Sequence, residues 1–418
     1  MPQNLKVMKM KSNGYLRLDW ARRHMPVVAS IRERFIREQP FKGIRIGMAL
    51  HVEAKTGILA LLMKEGGADV TMSSCNPLST DDAVVKSLIE DYGMKVFAKK
   101  GETEKEYYEY LNRVIDSKPQ IIVDDGGDLV KLLHTSRSEM RDFVIGGNEE
   151  TTTGVSRLLN MEKKNQLKFP MFDVNDADMK HLFDNRYGTG QSALDGIMNA
   201  TNILIAGKTV TIVGYGFCGK GVALRMKGLG ANVIITEVDP IRANEALMEG
   251  FRVMPVERAL KISDMVVTVT GVKSVVDINT LKESKDGIIL SNAGHFNNEI
   301  ELDNLSKESS SVEQVRDFVS CYNLKNGKKI YVIADGRLVN LAAGQGHPVE
   351  IMDMSFAIQA LTAEHLLKNH KSLENRVYSV PKEVDTSVAI IRLKSIGVEI
   401  DTPSEEQIRY RDSWEEGT

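Results

Sequence analysis

The chain has 418 residues, of which 42% are hydrophobic and 27% are charged, and its formal net charge is -3. This composition is typical of folded globular proteins, and the length exceeds what one hydrophobic core serves, so we expect more than one domain. A near-neutral charge with dispersed lysines and arginines excludes nucleic acid as a partner. The apolar stretches fall short of the roughly 20 residues of a membrane helix, and no signal-peptide pattern begins the chain, so we expect a cytoplasmic protein without a membrane partner.

The three cysteines are far apart in the sequence. Cys75, Cys218 and Cys321 form no CxxC pair. Their spacing supports neither a disulfide framework nor a zinc site, so we expect reduced thiols and no bound metal.

Strands and helices alternate through the first half of the chain. A helical pattern over 20–39 is followed by strands predicted at 44–50, 69–73, 95–98 and 120–123 and by helices at 51–64, 80–92 and 104–116. This alternation predicts a parallel sheet with helices on both faces. Ligands of such sheets bind at the carboxyl ends of strands, so the polar clusters at 49–51, 74–76, 124–128 and 147–153 are expected to share one cleft. We interpret this half as a substrate domain.

A dinucleotide-binding fingerprint lies in the middle of the chain. A helix through residue 229 follows a β-branched strand at 209–213 and the turn Gly214, Tyr215, Gly216, Phe217, Cys218 and Gly219. Gly214 permits the turn, Gly216 lets N–H groups approach a pyrophosphate, and Gly219 allows the helix to pack on the strand. The next strand, 232–236, ends at Glu237, whose carboxylate suits the ribose hydroxyls of NAD and repels the 2′-phosphate of NADP. The segment predicts bound NAD.

The remaining pattern defines the predicted architecture. An Asn-, Asp- and Gly-rich stretch at 173–190 is interpreted as a hinge, a helix is predicted at 192–205, and 306–311 is predicted to be a loop. Strands at 265–270, 287–291 and 329–334 and a helix at 356–368 complete the pattern. We predict an α/β protein of two doubly wound parallel-sheet domains: a substrate-binding domain over 1–185, completed by about 345–380, a Rossmann NAD-binding domain over 186–344, and a C-terminal oligomerisation tail over 381–418.

Seven further motifs surround the fingerprint. They are LHVEAKT from Leu50, SSCNPLST from Ser73, DDGGDL from Asp124, EETTTG from Glu149, FDNRYGTGQS from Phe183, NAGHF from Asn292 and GRLVNLAAGQGHP from Gly336. Over about residues 15–400 the chain closely resembles the S-adenosyl-L-homocysteine hydrolase family. The resemblance implies an enzyme of one-carbon metabolism that cleaves a nucleoside thioether to adenosine and homocysteine, recycles its NAD within each turnover, and forms a homotetramer.

The chemistry of the thioether explains why such a hydrolase needs NAD. Water does not readily displace a thiolate from an unactivated 5′ carbon. Oxidation of the 3′ hydroxyl to a ketone makes the 4′ C–H acidic, the thiolate then leaves by elimination, and water adds before the ketone is reduced again. The route requires one acid/base group at the 3′ oxygen, a second set at the 4′ and 5′ carbons, and exclusion of water.

Two groups of residues are candidates for these acid/base sets. Lys180 and Asp184 have i,i+4 spacing, which for an isolated pair is typical of a surface salt bridge. By resemblance Lys180 is the base at the 3′ oxygen, Asp184 orients it, and Glu150 holds the 2′ and 3′ hydroxyls. The second set consists of residues at predicted strand ends, any of which could take the 4′ proton: His51, Asp125 and His295.

Further ligands follow from the same resemblance. Thr151, Thr152, Thr153 and Asn185 are expected to reach the nicotinamide and its ribose, although threonine runs are more often caps or strand residues. Asn340 is expected to close over the carboxamide with Ala293 and Gly294, and His347 to contact the base through its backbone.

The chain departs from the family pattern at three places. Lys55 and Glu53 stand where relatives commonly have Glu and Thr, and lysine can only donate hydrogen bonds. A donor suits the 6-oxo group of hypoxanthine, so S-inosyl-L-homocysteine is an alternative substrate, unless Lys55 turns away to pair with Glu53 or Asp81. Thr189 replaces a frequent Cys, so we expect no role for a thiol in tuning the cofactor. The shortened tail puts cofactor contact across subunits in doubt.

Two other function classes remain open on the sequence. A dehydrogenase with net hydride transfer would share the NAD domain but would release NADH. A non-catalytic NAD-binding regulator would not need titratable residues at so many strand ends.

Overall fold

The structure is a computed structural model that describes residues 11–414. Its fifteen described strands follow one another in this order: β1 (Arg45–Ala49), β2 (Asp69–Ser73), β3 (Lys95–Phe97), β4 (Ile121–Asp124), β5 (Gly146–Glu149), β6 (Met171–Asp173), β7 (Thr209–Val213), β8 (Asn232–Thr236), β9 (Arg252–Val253), β10 (Met265–Thr268), β11 (Ile288–Asn292), β12 (Ser309–Arg316), β13 (Val319–Leu324), β14 (Lys329–Ile333) and β15 (Val377–Ser379). They form two separate sheets.

The helices lie between these strands in the sequence. They are α1 (Asn13–Arg23), α2 (Pro26–Glu38), α3 (Ala54–Glu65), α4 (Asp82–Glu90), α5 (Glu104–Asp116), α6 (Asp128–His134), α7 (Thr152–Lys163), α8 (Asp178–Lys180), α9 (Thr189–Thr201), α10 (Phe217–Gly228), α11 (Pro240–Met248), α12 (Val256–Leu260), α13 (Ile278–Glu283), α14 (Leu302–Glu308), α15 (Val339–Ala342), α16 (Val349–Asn369), α17 (Lys382–Ser395) and α18 (Glu405–Asp412). A π-helical segment, His181–Gly188, joins α8 to α9. Within the described range, no helix combines the length and apolarity that crossing a bilayer requires.

The sheet topology confirms the predicted fold class. The first sheet has the order β15-β6-β5-β4-β1-β2-β3, and the strand pairs are parallel. The second has the order β12-β13-β14-β11-β10-β7-β8-β9, in which only the β12–β13–β14 edge is antiparallel. Strand order reverses beside β1 in one sheet and beside β7 in the other, which are the switch points where open α/β sheets bind ligands.

Buried aliphatic side chains hold each sheet against its helices. In the first domain Ile46 and Met48 of β1 belong to the same buried cluster as residues of α2, α3 and α16. In the second, Ile212 of β7 and Val267 of β10 pack in a separate cluster with residues of α9 and α10. Because strands buried on both faces read as continuous apolar runs, the fingerprint strands were predictable, and the bounds 209–213 and 232–236 are confirmed.

Two predictions of secondary structure, at 20–39 and at 306–311, are wrong. The helical pattern at 20–39 belongs to two helices, because Pro26 excludes Met25 from helical geometry and begins α2 as its first residue. The loop predicted at 306–311 is the end of α14 and the start of β12, since pairing with β13 overrides the weak strand preference of serine.

The segment predicted as a hinge, 173–190, is helical over most of its length. The chain is helical from Asp178 to Thr201, and the π-helical segment lies within the predicted hinge, whose role as a hinge stays a prediction. The following helix ends at Thr201 rather than 205, because Asn202 adopts a left-handed conformation with φ 52° that asparagine tolerates. Short π-helical segments are frequent at functional sites.

Candidate active site

Side chains from both domains meet at the carboxyl end of the first sheet. His51 follows β1, Cys75 follows β2 and Asp125 follows β4, so parallel pairing brings all three together. His51 Nε2 lies 3.4 Å from Asp125 Oδ2, and Cys75 Sγ lies 3.2 Å from His51 Nδ1 and 3.4 Å from Asp125 Oδ2. His295, which follows β11 of the second sheet, places its Nδ1 atom 3.6 Å from Asp125 Oδ1. The three residues of the predicted second set thus lie in one cluster, with both histidines within 3.6 Å of the Asp125 carboxylate.

The environment of this cluster sets its protonation. Burial lowers the pKa of His51 to about 4, although the Asp125 carboxylate opposes the shift, so His51 is neutral near pH 7. Burial also raises the pKa of the Cys75 thiol, and Asp125 adds to the shift. Ligand atoms of His51, Cys75 and Asp125 lie within 4.8 Å of one another, which is also a spacing that a soft metal ion accepts.

A glycine allows the two domains to touch at this point. Gly126 has φ 102°, and a Cβ atom there would lie 2.5 Å from His295 Nε2. Asn292 holds the turn that carries His295, because its amide donates to the carbonyl oxygens of Gly294 and Phe296. Contact between the domains therefore closes the cleft over Asp125.

Lys180 lies between two buried carboxylates at the other end of the cleft. Its Nζ atom is 3.5 Å from Glu150 Oε1 and 3.5 Å from Asp184 Oδ2. It also donates to Asn185 Oδ1 at 2.8 Å and to Asn175 Oδ1 at 3.3 Å. Lys180 is only 5% exposed, so it is not the surface salt bridge that its spacing alone would suggest.

The carboxylates keep Lys180 charged. Burial by itself would lower the pKa of Lys180, but Asp184 and then Glu150 raise it well above its usual value. Burial raises the pKa of Glu150 to about 8, although the Lys180 ammonium opposes this, whereas the pKa of Asp184 is lowered by Lys180 and His347 despite its burial. The π-helical segment explains the arrangement, because it turns Asp184 and Asn185 toward Lys180 from the same helix.

His347 contacts this group through its side chain. Its Nδ1 atom forms a hydrogen bond with Asp184 Oδ1, and its Nε2 atom lies 3.3 Å from Thr189 Oγ1. The backbone contact with a base that we predicted for His347 stays a prediction.

A thiol lies beside Thr189. Thr189 Oγ1 donates to Cys218 Sγ at 3.5 Å. The fingerprint turn brings Cys218 to this place from another element, and the expectation that no thiol tunes the cofactor stays a prediction.

The fingerprint turn has the shape of a pyrophosphate site. A Cβ atom on Gly219 would lie 2.0 Å from the carbonyl oxygen of Gly214, so only glycine permits this approach. Gly216 caps α10 without a side-chain hydrogen bond, which leaves the first N–H groups of a 12-residue helix free to bind phosphate, and Phe217 begins the helix. Glu237 at the end of β8 accepts from the N–H groups of Tyr215, Val238 and Asp239, which fixes its carboxylate beside the turn.

Residues expected at the nicotinamide end lie on both sides of the cleft. Asn340 is 2% exposed and donates to Ser192 Oγ, and its Oδ1 atom lacks a hydrogen-bond partner among residues 11–414. Ala293 and Gly294 form the turn after β11. Thr153 faces the second domain, since a Cβ atom added to Gly271 would lie 3.4 Å from Thr153 Oγ1. Thr151 caps α7 with its hydroxyl, and Thr152 is exposed.

Lys55 is buried and paired with Glu53. Its Nζ atom lies 3.0 Å from Glu53 Oε2 and donates to the carbonyl oxygen of Gln345 at 2.8 Å. Glu53 also caps α3 by accepting from the N–H groups of Lys55 and Thr56. Asp81, the other partner we considered, is bonded to Arg17 instead.

Sequence analysis missed several residues that organise the site. Some had a signal, because Cys75 and Asn292 lie within the quoted motifs and Asn175 within the predicted hinge. Glu149, the last residue of β5, is completely buried and accepts from the N–H groups of Gly126 and Thr151, which ties two strand-end loops together. Ser355 and Gln359 lie on the buried face of α16, which is otherwise largely apolar. Polar residues within an apolar helical pattern were the signal that could have identified them.

Comparison with known proteins identifies the family. The model of the S-adenosyl-L-homocysteine hydrolase family matches residues 3–145, and the model of its NAD-binding domain matches residues 185–346. The chain belongs to the S-adenosyl-L-homocysteine hydrolase family. It is 64% identical to the adenosylhomocysteinase of Thermoplasma acidophilum over 98% of this chain and 100% of that protein. It is 57% identical to the S-inosyl-L-homocysteine hydrolase of Methanocaldococcus jannaschii over 97% of each chain, and 49% identical to the adenosylhomocysteinase of Aquifex aeolicus over 100% of each.

Family membership confirms the main predictions of function. The protein is a hydrolase of the S-adenosyl-L-homocysteine hydrolase family, and NAD is its cofactor. The glycine turn, the uncapped N-terminus of α10 and the unpartnered Oδ1 atom of Asn340 fit NAD, because they offer N–H groups to a pyrophosphate and an acceptor to a carboxamide.

Proposed function

We propose that the protein hydrolyses S-adenosyl-L-homocysteine to adenosine and homocysteine by transient oxidation of the 3′ carbon. The observation that carries this proposal is the presence of two acid/base sets in one cleft. Lys180 lies between Glu150 and Asp184, and Asp125 is joined to His51 and His295. Asp125 is close enough to raise the pKa values of both Glu150 and Lys180, which supports a single reaction space.

The first set acts at the ribose hydroxyls. Bound NAD supplies reversible oxidation of the 3′ carbon, and Gly214, Gly216, Gly219 and Glu237 would hold it. Glu150 accepts from the 2′ and 3′ hydroxyls. Lys180 is charged before the reaction, so it first passes one proton to the Glu150 carboxylate 3.5 Å away; its neutral amine then takes the 3′ hydroxyl proton and returns it when the ketone is reduced. Because Asp184 and Glu150 stabilise the ammonium form, the same pair stabilises Lys180 once it has accepted that proton.

The second set acts at the 4′ and 5′ carbons. Asp125 Oδ1 is buried without a hydrogen-bond partner in the described part of the chain, so we propose it as the base that removes the 4′ proton. The neutral imidazole of His51 then directs water to the 5′ carbon, and His295 closes the cleft above Asp125. Exclusion of bulk water protects the ketone during these steps.

S-inosyl-L-homocysteine is a second candidate substrate even though Lys55 is paired with Glu53, because an ammonium has three donors and Glu53 and Gln345 take two of them. Lys55 is 8% exposed, and a Cβ atom on Gly346, beside His347, would lie 3.5 Å from its Nζ atom. In this place Lys55 offers a donor to a 6-oxo group, while Glu53 offers an acceptor to a 6-amino group. An adenosylhomocysteinase and an S-inosyl-L-homocysteine hydrolase are both more than 50% identical to this chain, so overall identity does not choose between the substrates.

A comparison of the two thioethers tests these proposals. We expect purified protein to release homocysteine thiol from S-adenosyl-L-homocysteine, and we expect Lys55→Gln to lower kcat/KM for the inosyl compound relative to the adenosyl compound by about tenfold, as loss of one charged hydrogen bond would. Lys42→Gln, at an exposed lysine, is the matched control. Thiol release from neither compound would contradict the proposed reaction, and an unchanged ratio would contradict base recognition by Lys55.

We also propose that the protein works as a cytoplasmic homotetramer, as the family resemblance implies. Among the described residues, the C-terminal tail carries largely exposed apolar side chains, Ile400 at 70% exposure, Tyr410 at 57% and Trp414 at 90%. Apolar side chains of this kind are favourable subunit contacts, which supports the predicted oligomerisation role of the tail. Its predicted domain limits, 381–418, include residues beyond the described range.

A further inference from the structure

Helix α16 directs two polar side chains to the two carboxylates beside Lys180. Ser355 Oγ donates to Asp184 Oδ2 at 2.9 Å, and Gln359 Nε2 donates to Glu150 Oε2 at 2.5 Å. Both side chains are completely buried. They lie four residues apart, which places them on the same face of the helix.

The orientation of Gln359 is set by its donor bond. Its Oε1 atom has no hydrogen-bond partner among the described residues, so the contact with Glu150 is the one that positions the amide group. Burying an amide with one group unpaired is costly, and a helix that served only to pack would place an apolar residue here. The polar side chain therefore points to a role at Glu150.

Ser355 and Gln359 each donate a hydrogen bond to one of the carboxylates beside Lys180. A donor to a carboxylate stabilises its ionised form, which opposes the effect of burial. Glu150 faces Lys180, Asp184 and Asp125 as charged neighbours, and Gln359 is the uncharged donor that lowers its pKa. Asp184 receives the corresponding bond from Ser355, beside Lys180 and His347.

We propose that Ser355 and Gln359 are positioning residues that hold Lys180 at the reacting 3′ oxygen through Asp184 and Glu150. The two carboxylate oxygens are both 3.5 Å from Lys180 Nζ, so a shift of either carboxylate displaces the ammonium toward the other. Small displacements of a positioned acid or base are costly in rate. The inference rests on the proposed roles of Lys180, Glu150 and Asp184.

The test compares Gln359→Met and Ser355→Ala with Thr362→Val. Thr362 is also completely buried on α16, and it has no hydrogen bond to the catalytic carboxylates, so it controls for loss of a buried polar group. We expect each of the first two variants to lower kcat by about tenfold with little change in KM, and the control to retain wild-type kcat. Gln359→Met should also move the limb of the kcat pH profile that reports Glu150 to higher pH, because the carboxylate loses a donor.

Unchanged kcat and an unchanged pH profile in Gln359→Met and Ser355→Ala would overturn the inference, as would losses equal to those of Thr362→Val. If Gln359→Met does not fold, Gln359→Asn serves, since its shorter amide cannot keep the same bond and should show the same loss. Failure of the underlying site is distinguishable, because it would show as full activity in a Lys180 variant, whereas failure of this inference leaves the Lys180 variant inactive.

Discussion

We expect Lys180→Gln to lower kcat for thioether hydrolysis by about 10³-fold and to leave the bound cofactor oxidised when substrate is added. Lys180 is the proposed acid/base at the 3′ oxygen, and glutamine cannot accept the hydroxyl proton. The glutamine amide is one bond shorter than the lysine side chain, so the hydrogen bond that Lys180 Nζ donates to Asn185 Oδ1 is also expected to be lost. The measurement is the rate of thiol release together with the near-ultraviolet absorbance of reduced cofactor in a single turnover.

The Lys180 substitution needs a stability control, because it leaves Glu150 and Asp184 without a cation. Removal of one partner from a buried pair costs about 3–5 kcal/mol, so the variant is expected to melt at a lower temperature while retaining bound NAD. Lys371→Gln, at an exposed lysine, should behave as the unaltered protein. Wild-type turnover by folded Lys180→Gln would show that another group handles the 3′ proton.

Asp125→Asn is expected to separate oxidation from elimination. The variant keeps the size of the side chain but loses the proposed base for the 4′ proton, so kcat should fall by about 10²-fold to 10⁴-fold. Since the Lys180 set is intact, substrate should still be oxidised, and reduced cofactor should accumulate to about one equivalent per site. This outcome is opposite to that of Lys180→Gln, where no reduced cofactor forms.

The same absorbance measurement reads both variants. Asp317→Asn, at an exposed aspartate, controls for the loss of a carboxylate. Asp125 contacts His51, Cys75 and His295, so the variant also tests whether that cluster acts as a unit. Rapid thiol release without accumulated reduced cofactor would show that Asp125 is not required at the 4′ carbon.

The NAD-binding domain was the most predictable part of the fold. Each step of the fingerprint follows from local sequence, because a buried strand, a glycine turn and the start of α10 are set by residues within a few positions of one another. The helix over 20–39 failed for an equally local reason, the proline at 26, which the apolar pattern concealed.

The candidate site was only partly predictable because it depends on contacts between distant segments. Strand-end residues such as His51 and Asp125 were accessible, since parallel pairing brings the ends of neighbouring strands together. Cys218 beside Thr189 and Gln359 beside Glu150 were not, because their partners are distant in sequence and no periodic pattern marks the contact. The π-helical geometry around Asp184 likewise has no signal in propensity.

The most direct test of the account is to follow thiol and cofactor in one reaction. We propose a hydrolase in which NAD is unchanged after each cycle, with Gly216 and Glu237 as its proposed ligands. Purified protein given S-adenosyl-L-homocysteine should release thiol over many turnovers, while reduced cofactor never exceeds one equivalent per site. Release of one equivalent of NADH for each substrate consumed would contradict the account and identify a dehydrogenase.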